Sequence, residues 1–470
     1  MPELREDSAP HDAAGGSGGP ARRSASSLRK RALRGSAYEM LGYGASQVLR
    51  LGSNLIISRL LFPEAFGLAA LVTIFNQGLV MLSDVGIEQS VVQNERGDDR
   101  DFLDTAWTLH VGRGVLLWLF AVVLAWPASH FYAEPQLLYL LPVGALNVVV
   151  QGFASTSLFT LRRHLQVDRL MAVELFAQGS GLLVTIPWAW VSPSVWAIIA
   201  GGLAAALART GASYYVDVGY RNRFGWDRSA IDAILEFGKW IFGSSMLFFV
   251  SRQGDRVLLG RFIGMGPLGV YSIAVFLSEA LGMAVTKVTH GIFYPVFSEV
   301  RRNQPDRLRE IYYKTRLRLD LLSLPALGFL TMTGSWIVEL LYDDRYIDAG
   351  WMLEVLCVRV AMSCVLVPCE TCLFSMGHTR YGFFQNVFRS LWIVIGVPLG
   401  WHFFGIEGVV WATALSEVPV WIVLWLPFAR LGLLRPAREA LALAAFAAGM
   451  LIGHLADPWL GWLVQDVLGG

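Results

Sequence analysis

Thirteen mostly apolar stretches follow one another along this chain, and they constrain its fold more than any other feature. Each matches the roughly 20 residues that a helix needs to cross a hydrocarbon core of about 30 Å. Residues are 54% hydrophobic and 16% charged, whereas soluble proteins carry about 25% charged residues. We therefore predict an all-α integral membrane protein with spans at 36–61, 66–86, 105–127, 136–158, 170–190, 195–216, 234–256, 268–290, 317–341, 351–374, 382–403, 407–428 and 438–456.

The C-terminal segment PWLGWLVQDVLGG is too short to form another span and contains Asp466. We expect it to lie at the membrane interface. The sequence thus predicts about 13–14 transmembrane helices, and the side on which the C-terminus lies stays open.

Basic residues are concentrated in every second connection between the predicted spans, which indicates how the chain is oriented in the membrane. Of the 38 Lys and Arg residues, 26 fall in the N-terminal tail and in every second connection after it. The other connections contain one clear basic residue, Arg345, beside acidic residues Glu64, Glu134, Asp343, Asp344, Asp348 and Glu407. Because basic loops stay on the cytoplasmic side, we predict a cytoplasmic N-terminus.

An internal repeat divides the chain. A shift of 202 residues places Arg252, Arg261 and Gly269 on Arg50, Arg59 and Gly67, and each copy begins a run of six spans. Both runs start on the same side, so we predict two pseudo-symmetric six-helix lobes related by an axis along the membrane normal. The predicted parts are a disordered basic tail (1–35), an N-lobe (36–216), a cytoplasmic linker (217–233), a C-lobe (234–430) and a further helix with a short tail (431–470).

Several basic residues lie inside the spans, where an arginine costs about 2.5–3.5 kcal/mol on insertion scales. Arg59, Arg209, Lys239 and Arg261 lie near helix ends, so their side chains can reach the interface. Arg50, by contrast, lies near mid-membrane and has no acidic residue three or four positions away, whereas Arg252 has one such neighbour, Asp255. We expect these two to line a cavity that accepts an anion.

Arg256 lies one turn from Arg252 on the same helix face, and Asp255 adjoins it. An Asp255–Arg256 pair of purely structural role is the alternative to a place in the cavity, because a buried arginine needs an acid. Arg113 and Lys287 complete the basic candidates.

Acidic residues also lie within the predicted spans: Asp84, Glu174, Glu279, Glu354, Glu370 and Glu417. Glu279 and Lys287 are eight residues apart and share a helix face, and Glu417 precedes Pro419, which can kink the helix. Each acid either carries a coupling proton or neutralises a nearby arginine.

Enzymatic motifs are missing from the sequence: we find no Walker motif, nucleotide-binding glycine loop, HExxH or nucleophile elbow. The four cysteines fall within one span, where core packing explains them better than a metal site. We therefore expect a protein that is not an enzyme, binds no metal and uses no cofactor beyond a proton or sodium gradient.

Five segments of the sequence share a pattern with a known family: FGLAALVTIFNQGLVMLSDVGIEQSVVQNE (66–95), SLFTLRRHLQVDRLMAVELFAQGSG (157–181), GDRVLLGRFIGMGPLGVYSIA (254–274), IFYPVFSEVRRNQPDRLREIY (292–312) and LYDDRYIDAGWMLEVL (341–356). They resemble the polysaccharide or oligosaccharide flippases, the Wzx-type branch of the multidrug/oligosaccharidyl-lipid/polysaccharide exporter superfamily. The likeness covers roughly residues 36–456 and is most specific at SDVGIEQS, DRVLLGRF and FYPVFSEV.

This resemblance implies a two-lobed bundle in a bacterial inner membrane that moves undecaprenyl-diphosphate-linked oligosaccharides by alternating access. Its cationic cavity would involve Arg50, Asn76, Gln77, Arg252, Asp255, Arg256, Glu279 and Lys287. Expected partners are the lipid-linked substrate, membrane lipids, a polysaccharide polymerase and glycosyltransferases, but no nucleic acid.

Two other functions stay open. A multidrug cation antiporter of the same superfamily would need an acid deep in the first or seventh span. A non-transporting scaffold of a glycan synthesis complex would dock partners through the basic segment 301–318. Flipping of a peptidoglycan precursor differs only in the glycan carried.

Overall fold

The computed structural model describes residues 41–83, 86–216 and 221–468, without the side chains of 233, 235–244 and 463–468. These residues are almost entirely helical, and no strand occurs among them, so the predicted all-α class is confirmed. The helices are α1 (41–60), α2 (Pro63–Leu82), α3 (Ile87–Gln93), α4 (Arg100–Phe131), α5 (Leu137–Gly152), α6 (Ser157–Arg163), α7 (Val167–Val191), α8 (Val195–Ser213), α9 (Arg228–Ile263), α10 (Met265–Val288), α11 (Tyr294–Asn303), α12 (Leu308–Leu341), α13 (Ala349–Ser375), α14 (Arg380–Ala414), α15 (Val418–Arg430) and α16 (Pro436–Leu468).

Nine helical segments of the described chain are long and apolar enough to cross a membrane, or ten if the bent pair α5 and α6 counts as one span. Helices α1 and α9 are not among them; both contain arginines. Over its described residues each predicted span is nevertheless largely helical, with 136–158 divided between α5 and α6. The C-terminal tail continues α16 as far as Leu468, and its place at the interface stays a prediction.

Helix α14 contains a reversal at Gly405, whose φ of 59° and ψ of −139° are not helical. The Trp392 indole N–H donates to the Ala412 carbonyl over 2.7 Å, which requires antiparallel arms. At Gly400 an added Cβ would lie 2.4 Å from the Gly408 oxygen, so the arms touch backbone to backbone. Residues 382–403 and 407–428 are therefore separate arms, as the sequence predicts.

The two ends of the bundle differ in charge. We call the end with residues 301–307, which include Arg301, Arg302 and Arg307, the basic end, and the end with loops 61–62 and 342–348 the acidic end. The domain boundaries stay a prediction, and tail 1–35 and part of linker 217–233 lie outside the described residues.

Helices α2 and α10 cross at the acidic end through a symmetric glycine contact. A Cβ on Gly67 would lie 1.9 Å from the Met265 oxygen, and one on Gly269 would lie 2.0 Å from the Pro63 oxygen. Gly67 is equivalent to Gly269, and Pro63 to Met265, because each pair is separated by the 202 residues of the internal repeat. The two copies therefore contact each other through corresponding positions.

Tyrosines add further contacts at the acidic end. The Tyr342 hydroxyl donates to Asn54 over 2.6 Å, and the Tyr346 hydroxyl donates to the Leu61 carbonyl over 2.9 Å. Tyr132 similarly reaches the Val257 carbonyl over 3.1 Å. These contacts join α1 and α4 to the second half of the chain and close this end.

At the basic end, the start of α9 is attached to the first half of the chain. The Arg96 guanidinium lies 2.8 Å from the Asp227 carboxylate, and Asp227 caps α9 by accepting from the Ser229 backbone N–H. The hydrogen bond from Arg96 lowers the pKa of Asp227 to about 2.

Candidate functional site: a cationic cavity between the repeats

Two adjoining cavities lie where α1 and α2 face α9 and α10. The first, of about 380 Å³, lies towards the acidic end and includes Arg50. The second, of about 430 Å³, lies towards the basic end and includes Arg252. Gln77 and Arg256 line both, so together they form one polar space, which we call the central cavity.

Positive charge predominates in the lining of the central cavity. Two carboxylates, Glu279 and Glu417, face five basic side chains: Arg50, Arg252, Arg256, Lys287 and Arg359. Charges interact more strongly beside protein and lipid than in water because the dielectric constant is lower. This lining therefore favours an anion.

Arg50 and Arg252 occupy equivalent positions of the repeat, and both are exposed. Among the described residues, neither has a carboxylate within 4.0 Å of its guanidinium. Instead, Arg50 lies 5.6 Å from the centre of the Phe276 ring and Arg252 lies 5.7 Å from that of Phe248. An aromatic face holds a guanidinium without using its N–H donors, which stay available to a ligand.

A hydrogen-bonded row connects α2 to α9. Gln253 donates to the Gln77 side-chain oxygen over 2.7 Å and accepts from the Arg256 Nη1 over 3.0 Å. Arg256 is thus held at the junction of the two cavities.

Glu279 on α10 is shared by two arginines. Its Oε1 lies 2.8 Å from the Arg359 Nη2, and its Oε2 lies 3.7 Å from the Arg256 Nη2. Lys287 lines the same cavity as Glu279, as their common helix face predicts. Its amine lies 4.4 Å from the centre of the Tyr43 ring on α1.

Asp255 does not pair with Arg256. It is buried and accepts a hydrogen bond of 2.6 Å from the Tyr271 hydroxyl. The expected structural pair fails because consecutive side chains on a helix do not face each other.

Glu417 forms a buried ion pair with Arg389, with 2.6 Å between Oε2 and Nη2. The two residues come from opposite arms of the helical hairpin that turns at Gly405. Glu417 also contributes to the lining of the central cavity.

Besides Asp255, two predicted residues lie outside the lining of the central cavity. Asn76 donates to the Gly144 carbonyl over 3.0 Å and so fastens α2 to α5. Arg113 donates to the Ser83 hydroxyl over 3.0 Å and to the Val80 carbonyl near the end of α2. Of the other predicted residues, Asp84 and the side chain of Lys239 fall outside the described part of the chain.

Sequence reasoning missed Gln253 and Arg359 as cavity residues. Arg359 could have been identified because a basic residue in the middle of a predicted span needs a partner. Gln253 gave no such signal, since its role depends on Gln77 across the cavity.

The cysteines fit the predicted packing role, since all four are buried with free thiols. No group of three or more His, Cys, Asp or Glu side chains suited to a metal ion occurs in the described ranges.

The model of a family described as polysaccharide biosynthesis protein matches residues 56–350. The chain is 22% identical over 393 residues to the lipopolysaccharide biosynthesis protein WzxC of Escherichia coli K12, covering 83% of this chain and 80% of that protein. It is 25% identical over 355 residues to the amylovoran biosynthesis protein AmsL of Erwinia amylovora, covering 73% and 91% respectively.

Solved structures share the fold at low identity. The lipid II flippase MurJ in an inward closed conformation gives a TM-score of 0.67 at 12% identity, covering 92% of this chain and 99% of that chain. An inward-facing multidrug resistance MATE transporter of the MOP superfamily gives a TM-score of 0.61 at 14% identity. That match covers 88% of this chain and 95% of the transporter chain. The structure therefore has the fold of that superfamily.

Proposed function

This chain belongs to the polysaccharide biosynthesis protein family, and on that premise we propose that it is a flippase for a lipid-diphosphate-linked oligosaccharide. The observation that carries the proposal is the cationic lining of the central cavity. Arg50 and Arg252 in particular have no carboxylate partner in the described chain to neutralise them. A cavity of this kind suits a diphosphate and would repel a cationic drug.

In this mechanism the diphosphate head enters the central cavity while the polyprenyl tail stays in the membrane. Guanidinium groups bind phosphate oxygens through paired, charge-assisted hydrogen bonds. The contacts that close the acidic end then open as the lobes move, and the glycan is released on the far side. With the basic end in the cytoplasm of a bacterial cell, as the loop charges indicate, the structure corresponds to an inward state.

A proton or sodium gradient supplies the driving force in this proposal, with Glu279, Glu417 and Asp255 as the candidate coupling residues. The product is a substrate for a polysaccharide polymerase, and glycosyltransferases supply the cargo. The carried glycan would serve exopolysaccharide, capsule or O-antigen synthesis.

The rival functions have less support. A multidrug cation antiporter needs an accessible acid deep in the first or seventh span, but Asp255 is buried against Tyr271. A scaffold that does not transport would have no use for unpaired arginines in a cavity.

The test is polymer export in the native host with Arg50→Ala and Arg252→Ala variants. Charge-assisted hydrogen bonds contribute about 1.5–3 kcal/mol each, so we expect export to fall at least about tenfold while lipid-linked oligosaccharide accumulates. Arg59→Ala and Arg261→Ala are matched controls because these arginines lie on the same two helices outside both cavity linings. Unchanged export in the first pair at normal protein level would contradict the proposal and favour the scaffold.

A further inference from the structure

Glu279 lies between two guanidinium groups and gives one carboxylate oxygen to each. Its contact with Arg359 is short, at 2.8 Å, whereas its contact with Arg256 is longer, at 3.7 Å. The Glu279 side chain is 29% exposed and the Arg359 side chain only 10%. The carboxylate is therefore bound firmly on its buried side and loosely on its cavity side.

Arg256 still has an unused donor. Its Nε atom is buried and has no hydrogen-bond acceptor in the described structure. A carboxylate offers only two oxygens, and both are directed to other nitrogens here. A phosphate group offers more oxygens and could satisfy donors that Glu279 leaves unpaired.

The internal repeat shows that this charge is specific to the second half of the chain. A shift of 202 residues places Glu279 on Gln77, just as it places Arg252 on Arg50. Gln77 also lines the central cavity, but it carries an amide and accepts from Gln253. A neutral residue is therefore compatible with this position of the repeat, so the negative charge of Glu279 is not required by the fold.

We propose that Glu279 is a built-in anion that occupies Arg256 in the empty cavity and is displaced from it by a phosphate group of the cargo. Arg359 keeps hold of the displaced carboxylate and acts as a positioning residue. This inference rests on the proposed function and adds a regulation to it, since binding competes with an internal ligand. The competition weakens substrate binding and so favours release after transport.

The test measures binding of undecaprenyl diphosphate to the purified full chain in detergent. The variants are Glu279→Gln, Arg359→Met and the combination of both. Glu354→Gln is a matched control, because Glu354 accepts from the Ser335 backbone N–H and lines neither cavity. Undecaprenol, which lacks phosphate, serves as a second probe.

The Glu279→Gln variant lacks the internal competitor, so it should bind undecaprenyl diphosphate about tenfold more tightly than the parent protein. Its binding of undecaprenol should be unchanged. Arg359→Met should weaken diphosphate binding, because the released carboxylate then pairs fully with Arg256. In the double variant most of this loss should vanish, because Arg359 acts on the phosphate mainly through Glu279. A variant that is merely damaged would instead bind both probes less well.

Equal or weaker diphosphate binding by Glu279→Gln would overturn the inference, as would an Arg359→Met loss that persists undiminished in the double variant. The proposed function has a separate criterion in the same assay. If Arg252→Ala leaves diphosphate binding unchanged, the proposed binding site is wrong, whatever Glu279 does.

Discussion

At the residue scale, the arginines of the bundle differ in what their guanidinium groups contact. Arg316 on α12 is 1% exposed and lies 2.9 Å from Asp320 and 2.8 Å from Glu439 on α16. Arg50 and Arg252, in contrast, rest on aromatic rings beside the central cavity. The first arrangement fastens helices together, and the second leaves donors for a ligand.

The Arg316 cluster predicts a large loss of stability on substitution. Arg316→Met leaves two buried carboxylates without their shared partner, so we expect destabilisation by about 3–5 kcal/mol. Thermal unfolding of the purified protein would measure it. Arg307→Met is the control, because Arg307 is 58% exposed and 3.8 Å from Glu310, and such pairs contribute about 0–1 kcal/mol. Equal unfolding temperatures for the two variants would refute the structural role.

The sequence alone shows which spans contain basic residues, but it predicts poorly what those residues contact. Arg50 is identifiable because no acid lies one helical turn away, whereas Arg252 has Asp255 one turn away, and only the structure shows that Asp255 bonds to Tyr271 instead. Arg113 carries the same kind of signal, yet it binds the end of α2 instead. The difference depends on how the helices pack, which a single sequence does not reveal.

At the element scale, the crossing of α2 and α10 closes the acidic end. Gly67 and Gly269 let each helix meet a carbonyl oxygen of the other, at Met265 and Pro63. Any side chain at either glycine would have to push the two helices apart. This crossing is thus the natural place for the closed end to open.

We predict that Gly67→Ala shifts the protein towards a state open at the acidic end. A cysteine introduced at Ser53, which lines the cavity nearer that end, would report the shift through labelling by an impermeant thiol reagent added outside cells. Labelling should rise several-fold over the parent, whose own cysteines are buried. Gly44→Ala is the control because nothing lies within 4 Å of its added Cβ. Unchanged or reduced labelling in Gly67→Ala would contradict the role of the crossing.

Helices were easier to predict than their contacts. Over their described residues the thirteen stretches are largely helical, mainly because length and hydrophobicity suffice to specify a span, although α1 and α9 do not meet that criterion. The 202-residue match of Gly67 with Gly269 indicated a repeat. That these glycines touch each other's helices follows only from the arrangement of the two halves.

At the scale of the whole molecule, the fold does not decide the function. The same architecture occurs in a lipid II flippase and in a multidrug transporter, so the charge of the central cavity has to distinguish them. Its basic excess comes from both halves, through Arg50 on α1 and Arg252 and Arg256 on α9. Composition predicted the membrane, and only the assembled structure brings these charges together.

The most direct test of this account is flipping by the purified protein in proteoliposomes. Undecaprenyl-diphosphate-linked oligosaccharide from the native host would be incorporated, and its exposure followed with an impermeant enzyme that modifies the glycan. We predict that the wild-type protein moves the substrate across the bilayer and that the Arg50→Ala/Arg252→Ala double variant does not. Equal transport by the double variant, or none by the wild type under an imposed gradient, would contradict the account.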